Sequence, residues 1–149
     1  MKATIYFDGG CRGNPGDMYG SYLIELNGKE VHRNLRFELG HGTNNEAEFK
    51  SLLMAIGALD GLGFLGLDAS EVEIEIFTDS KIVKNRVSGQ KKDTPRSLEK
   101  LARKYGDGAI EAANRMAALA AQCIKPLSLF KNFKILWNPR EFNVNRFGH

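Results

Sequence analysis

The chain has 149 residues, 42% of them hydrophobic and 26% charged, with 21 Lys and Arg against 18 Asp and Glu. That length and balance suit one folded domain, 1–149, with a core of its own, and they exclude a disordered chain or a small disulfide scaffold. The net charge of +3 leans toward anionic partners, Cys11 and Cys123 lack any paired spacing, and neither a leader nor an apolar run long enough for a bilayer is read, so the expectation is a cytoplasmic protein with free thiols and no membrane contact.

In chain order, Ala3 to Asp8 reads as a strand that ends in an aspartate. The stretch Gly9-Gly10-Cys11-Arg12-Gly13-Asn14-Pro15-Gly16 follows, and it reads as a loop longer than a tight turn needs. Tyr19 to Asn27 and Val31 to Leu39 are the next strands, joined by the hairpin signal Asn27-Gly28. Thr43 and Glu46 form a capping box, and the stripe Phe49, Leu52, Leu53, Ile56, Leu59 predicts a helix from Asn44. Val72 to Phe77 alternates at period two and stops at Thr78-Asp79-Ser80, where a short helix to Val87 begins. Pro95 to Cys123 is mostly helical with a break at Gly106-Asp107-Gly108, and Phe133 to Asn138 is a fifth strand. The strand, helix, strand succession implies parallel pairing. The fold class is therefore α/β: a five-stranded mixed sheet, three antiparallel strands and then two parallel ones, flanked by helices.

Ligands in open α/β sheets sit beyond the carboxyl ends of parallel strands, where this reading puts Asp8 and Asp79. Glu48 lies in the first turn of the capped helix beside its apolar stripe and can join them, whereas Glu46 is committed to the cap. Two like charges 4 Å apart repel by about 4 kcal/mol at an effective dielectric of 20, so three clustered carboxylates call for cations. All-oxygen ligands favour Mg²⁺ or Mn²⁺.

The segments "YFDGGCRGNPG", "TNNEAEFKSLLMAI", "IFTDSKIV" and "WNPREFN" resemble, in order and spacing, type 1 ribonuclease H, which cuts the RNA strand of RNA/DNA hybrids. The resemblance spans nearly the whole chain and implies the ribonuclease H-like fold. It also implies a monomeric endonuclease that uses two Mg²⁺ or Mn²⁺ ions and leaves 5′-phosphomonoesters. By the same resemblance Asp8, Glu48 and Asp79 are metal ligands and catalytic residues. Gly10, Cys11, Arg12, Gly13 and Asn14 form a loop that reaches the minor groove of the hybrid, with the glycines explained by close approach of that substrate. Asn44 and Asn45 match minor-groove readers, Thr43 matches a contact to the DNA backbone, and Ser80 adjoins the substrate. A proofreading-type exonuclease of related fold expects a glutamate two residues after the first aspartate, where this chain has Gly10.

The resemblance implies a fourth acidic ligand four residues after an asparagine, and here the chain departs from it. If Asn143 is that asparagine, the position falls on Phe147, which cannot bind a metal. If Asn145 is, it falls on His149, which follows the small Gly148; this second register is preferred, making His149 the fourth catalytic and metal-binding residue. An alternative reading is a hybrid-binding module with weak or no cleavage, because the fourth carboxylate is missing. Between Lys81 and Lys104, nine basic residues stand against Asp93 and Glu99, a local balance of +7 that fits a footprint for backbone phosphates. His32 and His41 have no ligand spacing and read as ordinary surface or loop residues.

Overall fold

The structure, a computed structural model, describes residues 1–62 and 68–148. Its strands are β1 (Lys2–Gly13), β2 (Gly16–Leu26), β3 (Lys29–Gly42), β4 (Glu73–Thr78) and β5 (Asn132–Trp137), and its helices are α1 (Asn44–Gly61), α2 (Lys81–Val87), α3 (Pro95–Tyr105), α4 (Gly108–Leu127) and α5 (Arg140–Phe147). The sheet order is β3-β2-β1-β4-β5, antiparallel from β3 to β1 and parallel from β1 through β4 to β5, as the alternation of patterns requires.

Period two in β1 sends Ala3, Ile5 and Phe7 to one face, where Phe49, Leu52 and Ile56 of α1 meet them in a closed apolar cluster. Tyr6 points to the other face, stacks on Phe77 with ring centroids 5.3 Å apart, and carries the Arg146 guanidinium of α5 at 3.8 Å. Thus α1 and α5 lie on opposite faces, and α4 packs against α1, α2 and α3, with Ala120, Cys123 and Leu127 in the core. No helix among the described residues is long and apolar enough to cross a membrane.

Three expectations change. Asp8 does not end its strand, because β1 continues antiparallel to β2 as far as Gly13, paired with Gly16. Pairing on the β2 side overrides the low strand preference of the glycines, so the expected long loop is a β-ribbon turned at Asn14-Pro15. What does stop near Asp8 is the parallel pairing with β4, at Tyr6 and Phe77.

The second adds an internal use for the glycines to the expected close approach of substrate. A Cβ at Gly9 would lie 2.5 Å from the Ala47 carbonyl oxygen, one at Gly16 would lie 2.0 Å from that of Arg12, and one at Gly10 would lie 2.8 Å from the Tyr19 hydroxyl. At Gly9 and Gly16 backbone atoms of the protein itself leave no room for a side chain, whereas at Gly10 only the end of the Tyr19 side chain stands in the way. Third, α5 forms where no apolar period predicted a helix; Pro139 precedes its first turn and Gly148, at φ 75°, ends it. The break after α3 falls where expected, at Gly106 with φ 91°.

Candidate active site

Three elements deliver the three carboxylates. β1 carries Asp8 two residues past the last β1–β4 pair, β4 releases Asp79 immediately after Thr78, and α1 brings Glu48 in its first turns. The Thr43 hydroxyl accepts from the Glu46 N–H at 3.2 Å and fixes where α1 starts. Gly9, pressed against Ala47, then brings that start onto β1. Ligand oxygens of Asp8, Glu48 and Asp79 consequently lie within 4.8 Å of one another.

Asp8 is buried, and its Oδ1 accepts from the Gly9 N–H at 3.0 Å. Glu48 keeps an enclosed Oε2 with no hydrogen-bond partner among the described residues. Loss of water around Glu48, followed by the charges of Asp8 and Asp79, holds its carboxyl well above the ordinary range. Asp79 is raised for the same two causes, burial first and Asp8 second, with Asn143 and Arg140 opposing. An orphaned carboxylate oxygen amid like charges is a site in need of a cation, and the all-oxygen donors fit a hard one.

The carboxylates open into a cleft of about 710 Å³. Gly10, Cys11, Asn44, Asn45 and Ser80 line it, and Asn14 and Thr43 line an adjoining cleft of about 350 Å³ together with Asn44 and Asn45. Asn44 is also a structural link: its Oδ1 accepts from the Cys11 N–H at 3.0 Å and from the Cys11 thiol at 3.1 Å, while the Asn14 Oδ1 accepts from the Asn44 N–H at 3.2 Å. These bonds tie the ribbon tip to the start of α1. Arg12 and Gly13 stay exposed at that tip, outside both clefts, with the Arg12 guanidinium 5.8 Å over the Tyr19 ring. Ser80 caps α2 by accepting from the Val83 N–H at 3.2 Å, so the bland role of a cap falls to it and not to Asp79.

The capping box at Thr43 closes differently from the expected form. The Thr43 hydroxyl donates to the Glu46 carboxylate at 3.4 Å, and Arg115 of α4 approaches the same carboxylate at 3.8 Å.

Sequence reasoning missed Trp137 and Arg140 as members of the cleft. The Trp137 indole N–H donates to the Asp79 carbonyl at 3.3 Å, and Lys81 Nζ lies 5.7 Å over its ring. Both residues belong to the quoted segment "WNPREFN", where the proline corner was the only signal that they would turn inward. Of the two terminal asparagines, Asn143 is fully buried and its amide favours the charged form of Asp79, although neither its oxygen nor its nitrogen completes a well-formed hydrogen bond among the described residues. Asn145 is exposed, Phe147 is buried, and His149 lies outside the described residues.

A family model described as RNase H matches residues 1–126. The bifunctional protein Rv2228c of Mycobacterium tuberculosis is 36% identical over 102 residues, which cover 68% of this chain and 26% of that protein, so the chain spans about a quarter of that relative. The ribonuclease H of Ruthia magnifica is 32% identical over 87 residues, 58% of this chain and 53% of its own. Among solved structures, the N-terminal RNase H domain of Rv2228c, determined as a fusion with maltose binding protein, superposes with a TM-score of 0.68 at 26% identity, covering 99% of this chain and 95% of that one. LC11-RNase H1 in complex with an RNA/DNA hybrid gives a TM-score of 0.61 at 26% identity over 96% of this chain and 89% of that one.

Proposed function

The chain belongs to the RNase H family, and from that premise we propose that it is a metal-dependent endoribonuclease that hydrolyses the RNA strand of RNA/DNA hybrids, leaving 5′-phosphate and 3′-hydroxyl ends. The observation that carries this reading is the convergence of Asp8, Glu48 and Asp79 within 4.8 Å with the Glu48 Oε2 unpartnered. These three residues would hold Mg²⁺ or Mn²⁺, two ions in the mode proposed, and such ions stabilise charge on the attacking and leaving oxygens of a phosphodiester.

The protein's own groups do the rest. Asp8, buried, is held in place by the Gly9 N–H. The Trp137 N–H fixes the backbone at Asp79, and Asn143 favours the ionised form of that carboxyl. The ribbon Gly10–Asn14 and the Asn44-Asn45 pair offer short polar groups and backbone amides beside the carboxylates, which suits a test for 2′-hydroxyls across the shallow minor groove of an A-like duplex. Thr43, in the adjoining cleft, would face the DNA strand, and Ser80 the RNA beside Asp79.

A second reading, binding of hybrids with weak or no cleavage, has one observation in its favour. The asparagine at Asp79 is Asn143, the register in which the fourth position falls on the buried Phe147, whose side chain offers no donor to a metal. We retain His149 as the proposed fourth ligand in the other register. Labelled RNA annealed to DNA, incubated with Mg²⁺ and separately with Mn²⁺, decides between the readings. Internal cuts in the hybrid, absent from single-stranded RNA and duplex DNA, are expected; retention of uncut hybrid in both metals establishes the binding module instead. His149→Ala lowers the rate in both metals if this residue is the fourth ligand and leaves it unaltered if it is not.

A further inference from the structure

The cationic stretch 81–104 contains one ion pair that takes no part in its surface. Arg86, near the end of α2, donates from Nη1 to Asp93 Oδ2 at 3.1 Å and from Nη2 to Asp93 Oδ1 at 3.3 Å. Both side chains are at most 10% exposed. The other cations of this stretch stand differently: Lys81, Lys91, Lys92, Arg96, Lys100, Arg103 and Lys104 are exposed and Lys84 is half-buried. Arg86 is thus removed from the phosphate footprint in which its sequence position placed it.

The pair sits at a mechanical joint. Asp93 immediately precedes Thr94, which caps α3 in a reciprocal box with Ser97, while α3 itself has no fully buried residue and rests on α4 by one face. Between the two partners, Gly89 turns the chain at φ 81°, the Lys91 N–H donates back to the Asn85 carbonyl at 2.9 Å, and Lys91 and Lys92 project into solvent. A forked, doubly bonded guanidinium fixes angle as well as distance. A buried ion pair adds little net stability compared with a well-packed apolar pair of similar volume, so its placement at this joint points to geometry as its role.

On the proposal that the protein binds hybrids, we infer that Arg86 and Asp93 form a latch between α2 and α3: positioning residues that present Lys91, Lys92 and the first turn of α3 to a phosphate backbone at a fixed distance from the carboxylates. The latch also takes the charge of Asp93 out of solvent, leaving Glu99 as the one surface carboxylate of the stretch.

Two variants test it, Arg86→Lys, which keeps the charge and loses the fork, and Arg86→Met with Asp93→Leu, which keeps a packed apolar joint. Both are compared with the parent by trypsin cleavage at Lys91 and Lys92 under native conditions, by hybrid affinity across a salt series, and by cleavage rate at saturating hybrid. Faster cutting at the two lysines is expected, with weaker binding, a log K against log salt slope shallower by about 1 to 2, and an unchanged saturated rate. Variants that melt at lower temperature but keep the parent's salt slope and relative trypsin sensitivity overturn the latch and leave a structural pair. A parent that binds no hybrid refutes the functional reading on which presentation depends, while the trypsin comparison, which needs no activity, still decides whether the pair holds the joint.

Discussion

Asp8, Glu48 and Asp79 press charge into a partly dry site, and the stress has a readable sign. Glu48 titrates above its ordinary 4.5 because burial and two carboxylates favour its neutral form. Between 4.5 and that raised value the folded chain binds more protons than the unfolded one, so this group's stabilising contribution is full below 4.5 and is lost as pH rises through the window, at no more than about 1.4 kcal/mol per unit. In EDTA, melting temperature should therefore fall from mildly acidic toward neutral pH relative to Glu48→Gln, in which the decline flattens; parallel curves would show that Glu48 carries no such shift. Asp8→Asn, Glu48→Gln and Asp79→Asn should each abolish most cleavage while leaving the fold intact, read by product formation beside circular dichroism. Glu46→Gln is the contrast, costing up to about 1 kcal/mol of stability through the cap and little rate. The triad was legible because Asp8 follows the apolar alternation of β1, Asp79 follows that of β4, and Glu48 lies just inside the capped start of α1, positions the patterns locate even though β1 itself runs on past Asp8. Trp137 and Arg140 were not, since it takes the pairing of β5 with β4 to bring Trp137 to the Asp79 backbone and the turn after β5 to bring Arg140 near its carboxyl.

At the level of elements, the alternation of β1, β2 and β4 and the cap of α1 gave their order and pairing directly. What the residues did not disclose was how far β1 runs, because glycines argue for a loop when read alone and only pairing with β2 holds them extended. Nor does a sequence say which neighbour demands a glycine. Gly9 is the sharpest case: with Ala47 O 2.5 Å from the position of an added Cβ, Gly9→Ala must push α1 off β1. We expect a loss of about 1 to 3 kcal/mol from overpacking. Cleavage should suffer more than melting temperature does, because the displaced helix start carries Glu48 away from Asp8. A variant with full rate and reduced stability would separate the helix contact from the site. α5 was hidden for a different reason: its buried residues, Asn143 and Phe147, include a polar one, so no apolar stripe marks the inner face.

For the molecule as a whole, +3 of net charge is a poor guide to its field. The balance of +7 is gathered between residues 81 and 104, on α2, α3 and the turn joining them. Hybrid affinity should fall steeply with salt, with log K losing about 0.7 to 0.9 for each tenfold rise in salt per phosphate contacted, and Lys91→Ala or Lys92→Ala should each lower the slope by up to about that amount. Equal slopes in the parent and both variants would move the phosphate contacts elsewhere on the surface. The three carboxylates also have a history in time. Each comes from a different element, and they meet only when β1 has paired with β4 across the intervening helix, a long-range closure that costs loop entropy before it is rewarded. A cation that needs all three at once has nothing complete to grip until that closure is made. In stopped-flow experiments followed through Trp137, the one tryptophan of the chain, Mg²⁺ should slow unfolding and leave the refolding rate nearly unaltered, the signature of a contact formed after the barrier. An equal gain in refolding rate would place the triad in the folding nucleus.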